Sequence, residues 1–160
     1  MQLEKMEVNM VFNEINRFDD TEHETMMGIW WSGILLKQVA RKFFKDTPVS
    51  DSQFNALMVL KYAEKKLSQQ ELSERLLVDK SNVTVIADGL EKIGFAKRKK
   101  LPGDRRFYQL VLTPAGAEFL DKIETEYRQL IHEMLSDFSE KEMKQLTGYM
   151  VRLQRRVSQL

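Results

Sequence analysis

The chain has 160 residues, 42% of them hydrophobic and 31% charged, with a formal net charge of +1. That length buries a proper core in one domain or two small lobes, and that composition excludes wholesale disorder. The absence of cysteine excludes disulfides, thiolate metal sites and thiol redox sensing, and a charge so near zero announces no partner through bulk electrostatics.

The first ten residues, MQLEKMEVNM, hold no apolar run of signal-peptide length. The most apolar stretch, Gly28 to Leu36, is far too short to cross a bilayer. The expectation is a cytoplasmic protein with no membrane partner. Charge is distributed unevenly. Residues 1–24 carry Glu4, Glu7, Glu14, Asp19, Asp20, Glu22 and Glu24 against Lys5 and Arg17. Between Lys97 and Arg106 the balance inverts: Lys97, Arg98, Lys99, Lys100, Arg105 and Arg106 stand against Asp104 alone. A near-neutral total therefore hides a concentrated basic patch.

Residues 1–20 form a weakly periodic N-terminal extension. Its Met6, Met10, Ile15 and Phe18 fit either a loose helical face or a tail laid on a partner. From Thr21 to Lys45 the pattern is helical: Ile29 (or Trp30), Trp31, Ile34, Leu35, Val39 and Phe43 recur at three- and four-residue steps. So wide a stripe needs cover on more than one side. The helix is either a core helix or one shared between a dimer interface and a second lobe. Asp46-Thr47-Pro48 ends it, since proline cannot continue a helix and disfavours it at the preceding residue.

Ser50 with Gln53 is a capping box opening a helix that carries Phe54, Leu57 and Met58. Ser68 with Glu71 is another. It starts a short helix with Leu72 and Leu76 inward, followed by a Leu77-Val78-Asp79 turn and a second helix with Val83, Ile86 (or Ala87) and Leu90 inward. Two short amphipathic helices across so tight a turn bury their stripes only against each other and a third helix. Gly94, after Ile93, supplies a left-handed helix end, with Phe95 packing back upon it. Pro102-Gly103-Asp104 then marks a turn between two strand-forming runs. Residues 68–113 thus read as a helix-turn-helix followed by a basic β-hairpin wing.

Thr113-Pro114 restarts helix with a hydroxyl cap and proline at the first position. Its apolar series is Phe119 or Leu120, Ile123, Tyr127, Leu130 and Met134, with Leu135 and Phe138 near the end. Ser139 with Glu142 opens the last helix, where Met143, Leu146, Met150, Leu153, Val157 and Leu160 follow at steps of 3, 4, 3, 4 and 3. That is a coiled-coil-like seam, expected as a dimer interface because two long C-terminal helices exceed what so small a lobe can use as core.

In this order and spacing the chain resembles the MarR family of transcriptional regulators over residues 21–160. Pro48 through Leu60 is similar to the family's second helix. Ser68 to Gly94 is similar to its helix-turn-helix, including the Leu90-Glu91-Lys92-Ile93-Gly94-Phe95 exit. Asp104, Arg106, Leu112 and Thr113 match its wing signature. The resemblance implies a mostly α fold with a small β-hairpin wing: a winged helix-turn-helix DNA-binding domain at 47–113, and a helical dimerisation region from 21–46 and 114–160. It implies a homodimer with the wing in the minor groove, acting as a repressor on an inverted-repeat operator, and a ligand site between the lobes. Many members carry a basic residue after the recognition-helix threonine; here Thr84 is followed by Val85, which removes the phosphate or base contact a cation would make there and leaves the operator sequence open. The absence of cysteine does not fit the oxidation-sensing subgroup, and the presence of only His23 and His132 does not fit the zinc-sensing one.

The expected DNA-contacting residues are these. Lys80, Ser81, Asn82 and Thr84 begin the recognition helix, whose first turn faces base edges. There Asn82 suits adenine, and the hydroxyl or methyl of Thr84 suits thymine. Ser68 and Gln69 are phosphate candidates at a helix start. Arg106 is the candidate for the minor groove, where A·T-rich DNA concentrates negative potential. Asp104 buttresses it, and Lys97, Lys99 and Arg105 meet phosphates. Strand alternation sends Arg98 and Lys100 to the other face. A small aromatic or anionic effector would be lined by Trp30 or Trp31 with Phe43, Phe54 and Met58, and His23 adding a polar group. The dimer seam is Met143, Leu146, Met150, Leu153 and Val157. No enzyme, metal or cofactor is expected, since no nucleophile elbow, phosphate loop or His–carboxylate constellation is present. The alternative to a DNA-binding regulator is a winged-helix adaptor whose hairpin binds an acidic protein surface without sequence-specific DNA binding.

Overall fold

The computed structural model describes the backbone of residues 20–101 and 104–160, and side chains at 20–100 and 108–160. The N-terminal extension up to residue 19 and the turn residues Pro102 and Gly103 lie outside that description. The described elements are α1 (Thr21–Phe44), α2 (Asp51–Tyr62), α3 (Gln69–Leu76), α4 (Lys80–Lys92), β1 (Ala96–Leu101), β2 (Asp104–Leu112), α5 (Pro114–Met134) and α6 (Glu140–Val157). Mostly α with one two-stranded antiparallel sheet, this is the expected fold class.

Helix boundaries follow local chemistry. The Ser50, Ser68 and Ser139 hydroxyls each accept from the amide of Gln53, Glu71 or Glu142 at the third helical position, and each serine amide donates in return to that residue's side chain. Each such cap stabilises its helix by about 1 kcal/mol. The Thr113 hydroxyl accepts from the Gly116 amide, with Pro114 starting α5. Gly94 has φ of 77°. The Phe95 amide donates to the Leu90 carbonyl at 2.9 Å and the Gly94 amide to Glu91 at 3.0 Å. This pair of bonds closes α4 and turns the chain into β1.

One core unites α2–α5 and the sheet. Phe54 and Leu57 from α2 and Leu72 from α3 meet Val83, Ile86, Ala87 and Leu90 from α4. Ala96 and Leu110 of the hairpin, and Leu120 and Ile123 of α5, complete it. Phe44 reaches in from the end of α1 and packs with Phe54 (ring centroids 4.8 Å apart) and Tyr127 (6.0 Å).

Outside this core the two long terminal elements are open. Phe44 is the one buried residue of α1, and α6 has none. Among the described residues nothing covers α1 as a core helix would be covered. Along the 3-4 seam of α6, Met143, Met150 and Leu153 are half-buried and Leu146 and Val157 are exposed.

Candidate nucleic-acid interface

α4 presents two faces set by its 3.6-residue period. Val83, Ile86, Ala87 and Leu90 are buried. Lys80, Ser81, Asn82, Thr84 and Val85 are all exposed. Asp79 is the N-cap but its side chain makes no capping bond, so neither Ser81 nor Asn82 is occupied as the cap residue. The Thr84 hydroxyl donates to the Lys80 carbonyl at 3.1 Å, which leaves its methyl and an acceptor for a partner. The turn before α4 is tight because Leu77 adopts a left-handed conformation, φ 52° and ψ 44°. This costs a non-glycine residue strain, and the Val78 amide donates to the Ser73 carbonyl across the turn.

At the start of α3 the Ser68 amide and hydroxyl both donate to the Glu71 carboxylate (2.8 and 2.9 Å), and Lys65 donates to the same group at 2.6 Å. Lys65 first, then Ser68, holds the Glu71 carboxyl down to about 2. Ser68 thus meets any phosphate with an ionised carboxylate behind it, and Lys65 offsets that charge. Ser68 also bridges to Gln109 of β2, which fixes the base of the wing to the helix-turn-helix. Gln69 is half-buried beside it.

The wing pairs Ala96 with Leu112, Lys97 with Val111, Arg98 with Leu110, Lys99 with Gln109 and Lys100 with Tyr108, and the register shifts before Leu101 meets Asp104. Lys97 and Lys99 are exposed. Asp104 and the candidate contacts Arg105 and Arg106 belong to β2, and their side chains lie outside the described residues. Arg98 points the other way, as alternation requires, and lands on α4. Its guanidinium donates to the Glu91 carboxylate, lies 2.6 Å from Asp88 and donates to the Thr84 carbonyl at 3.3 Å. Its amide donates to Glu91 as well, at 2.6 Å. A planar guanidinium serves several acceptors in fixed directions at once, so β1 and the recognition helix are held as one body. Alternation of the strand together with Asp88 and Glu91 three residues apart on α4 was the available signal for this link.

A second link, absent from the sequence reading, joins α2 to α5. Glu124 of α5 is only 7% exposed. It accepts from Lys61 at 2.7 Å, from the Tyr62 hydroxyl at 2.5 Å and from Arg128 at 2.7 Å, while Lys61 also reaches Asp121 at 2.8 Å. Its signal was a carboxylate four residues after Leu120, on the buried side of α5.

The expected effector lining does not assemble in the chain. Phe54 is fully buried and packs against Phe44 and Tyr127, so it is core and cannot face a ligand. Phe43 also joins that aromatic cluster, and Met58 packs half-buried against the core. Trp30 is 66% exposed and lies thirteen residues before Phe43, about 20 Å along the helix at the standard rise. Trp31 is half-buried, and exposed His23 lies further out, at the capped start of α1. The resemblance had grouped residues of two helices, and along α1 Trp30 and Phe43 stand well apart.

A model of the MarR family matches residues 49–107, from the residue before the α2 cap into β2. The chain is 33% identical over 120 residues to transcriptional repressor MprA of Escherichia coli, an alignment covering 74% of this chain and 68% of that one. The chain belongs to the MarR family. MarR-family proteins are transcriptional regulators rather than enzymes. Solved structures agree on the fold. AbsC, a MarR family transcriptional regulator from Streptomyces coelicolor, superposes with a TM-score of 0.81 at 17% identity, covering 91% of this chain and 99% of that one. A second MarR family regulator from the same organism, solved in complex with DNA, gives 0.76 at 20% identity, with coverages of 86% and 89%. Among the described residues no helix is long and apolar enough to cross a membrane.

Proposed function

We propose that the protein is a homodimeric repressor that binds duplex DNA at an inverted repeat. The observation that carries this reading is the rigid pairing of an exposed recognition-helix face (Lys80, Ser81, Asn82, Thr84) with a basic hairpin through Arg98. A helix held in the major groove then fixes where the wing falls. Lys97, Lys99 and Arg105 meet phosphates, Ser68 and Gln69 approach the backbone beside them, and Arg106, supported by Asp104, enters the minor groove. Residues 47–113 form the DNA-binding unit. Residues 21–46 and 114–160 pair two copies, with Met143, Leu146, Met150, Leu153 and Val157 along the seam. The open apolar surfaces of α1 and α6 support that pairing, since stripes of this size stay in water only at a cost. The repressor assignment draws on the named role of MprA.

Release by a small aromatic or anionic ligand is the regulatory arm of this reading. Exposed Trp30 and half-buried Trp31 offer the open aromatic surface for it, and a ligand screen read by tryptophan fluorescence tests it.

Selection of bound fragments from a genomic duplex library tests the whole. A regulator enriches a palindrome with half-sites about one helical turn, roughly 34 Å, apart. A winged-helix adaptor shows weak binding without sequence preference, and that result would replace this reading.

A further inference from the structure

Val85 lies at the middle of the exposed face of α4. It follows Ser81 by four residues and precedes Asp88 by three, opposite the buried stripe of Val83, Ile86, Ala87 and Leu90. It is 70% exposed. An aliphatic side chain there stabilises nothing inside the chain, and valine is a weaker helix former than alanine or lysine.

We propose that Val85 is a specificity-determining residue that reads the C5-methyl group of a thymine in the major groove. The inference rests on the DNA-binding reading given above. Four features of the helix surface lead to it. An isopropyl group offers nothing to a phosphate, and the apolar feature that major-groove base edges present is the thymine methyl. The Thr84 hydroxyl hydrogen is spent on the Lys80 carbonyl, so the neighbouring residue adds a methyl and no donor. The Asp88 carboxylate is paired with Arg98 at 2.6 Å, so the anion on this face is engaged from the wing side. Finally, a β-branched residue in a helix keeps one dominant χ1 rotamer, so the two methyls of Val85 are already oriented and little entropy is lost on contact. A recognition helix of this design takes hydrogen-bonded readout from its first turn, at Ser81 and Asn82, and apolar readout from its second.

The test uses the full-length protein and the duplex enriched by selection from a random library. Each thymine of both half-sites is replaced in turn by deoxyuridine, which removes the C5-methyl and leaves base pairing intact. Affinity is measured for the wild type, Val85→Ala and Val85→Thr. At one thymine per half-site the wild type should lose roughly fourfold, the effect of withdrawing one buried methyl. Val85→Ala should bind the thymine and uracil duplexes equally, and as tightly as the wild type binds the uracil duplex. Val85→Thr, which keeps one methyl, should fall between. The proposal is overturned if no thymine shows methyl dependence, or if Val85→Ala retains the full dependence. Failure to enrich any palindrome overturns the DNA-binding reading itself, whereas a palindrome without methyl dependence removes only the role of Val85.

Discussion

The Nζ of Lys61, at the end of α2, lies 2.7 Å from the Glu124 carboxylate of α5 and 2.8 Å from that of Asp121. This ties α2 to α5, the long helix that follows the hairpin. The Glu124 carboxyl is held down to about 2, by Lys61 first and then by Tyr62 and Arg128. The hydrogen bond to Asp121, then that to Glu124, raises the Lys61 ammonium above its ordinary range, so the lysine stays charged wherever the carboxylates do.

A pH dependence follows from the Glu124 shift. An unfolded glutamate protonates near about 4.3, and the folded one at a lower pH, so the unfolded state binds the extra proton in between. The stabilisation is full above that unfolded value and is lost as pH falls towards about 2. Glu124→Gln should cost about 1–3 kcal/mol at neutral pH, the scale for hydrogen bonds made to a charged group. It should also flatten the acid limb of the stability curve. Urea unfolding at several pH values checks both; an acid limb unchanged from wild type would count against the assignment.

Arg98 should act on DNA binding without touching DNA. Arg98→Ala frees β1 from Glu91, Asp88 and the Thr84 carbonyl, so the wing no longer follows the recognition helix. Operator affinity should drop several-fold while the dimer persists. Arg98→Lys keeps the charge but loses the fork that serves several acceptors, and should recover only part. A binding isotherm with sizing of the free protein separates this outcome from loss of fold.

The wing cations should divide by the kind of contact they make. Arg106→Ala should weaken operator binding strongly and leave the dimer intact. Lys97→Ala and Lys99→Ala should weaken all sequences alike, each lowering the slope of log affinity against log salt by roughly 1. Titrations of operator and scrambled duplex across a salt series distinguish the two classes. Full operator affinity in Arg106→Ala would remove the minor-groove role.

Leu146 is 40% exposed and Leu153 half-buried in the single chain, so a carboxylate at both positions has little to disturb within one subunit. Leu146→Glu with Leu153→Glu should give a folded monomer by sedimentation, with helical content retained and operator affinity reduced because two half-sites no longer bind together. A stable dimer in that variant would move the interface elsewhere.

Local chemistry in the chain determined where the helices start and where α4 gives way to the hairpin. Serine caps with Gln53, Glu71 and Glu142, the Thr113-Pro114 start and the left-handed Gly94 all act within a few residues. The periodicity of α4 alone separated its buried stripe from Lys80, Ser81, Asn82 and Thr84. Strand alternation put Arg98 opposite Lys97 and Lys99, though not what it would meet. Tertiary structure decided three other things. It made Phe54 core rather than ligand lining, because Phe44 and Tyr127, distant in sequence, close over it. It turned Arg98 into a clamp, because the Gly94 turn folds β1 back along α4. It gave Glu124 its partners, because Lys61 and Tyr62 arrive from a helix more than sixty residues earlier. Periodicity reports which face of an element is apolar; which residues of other elements meet that face depends on how the chain closes, and that is set by packing over long separations.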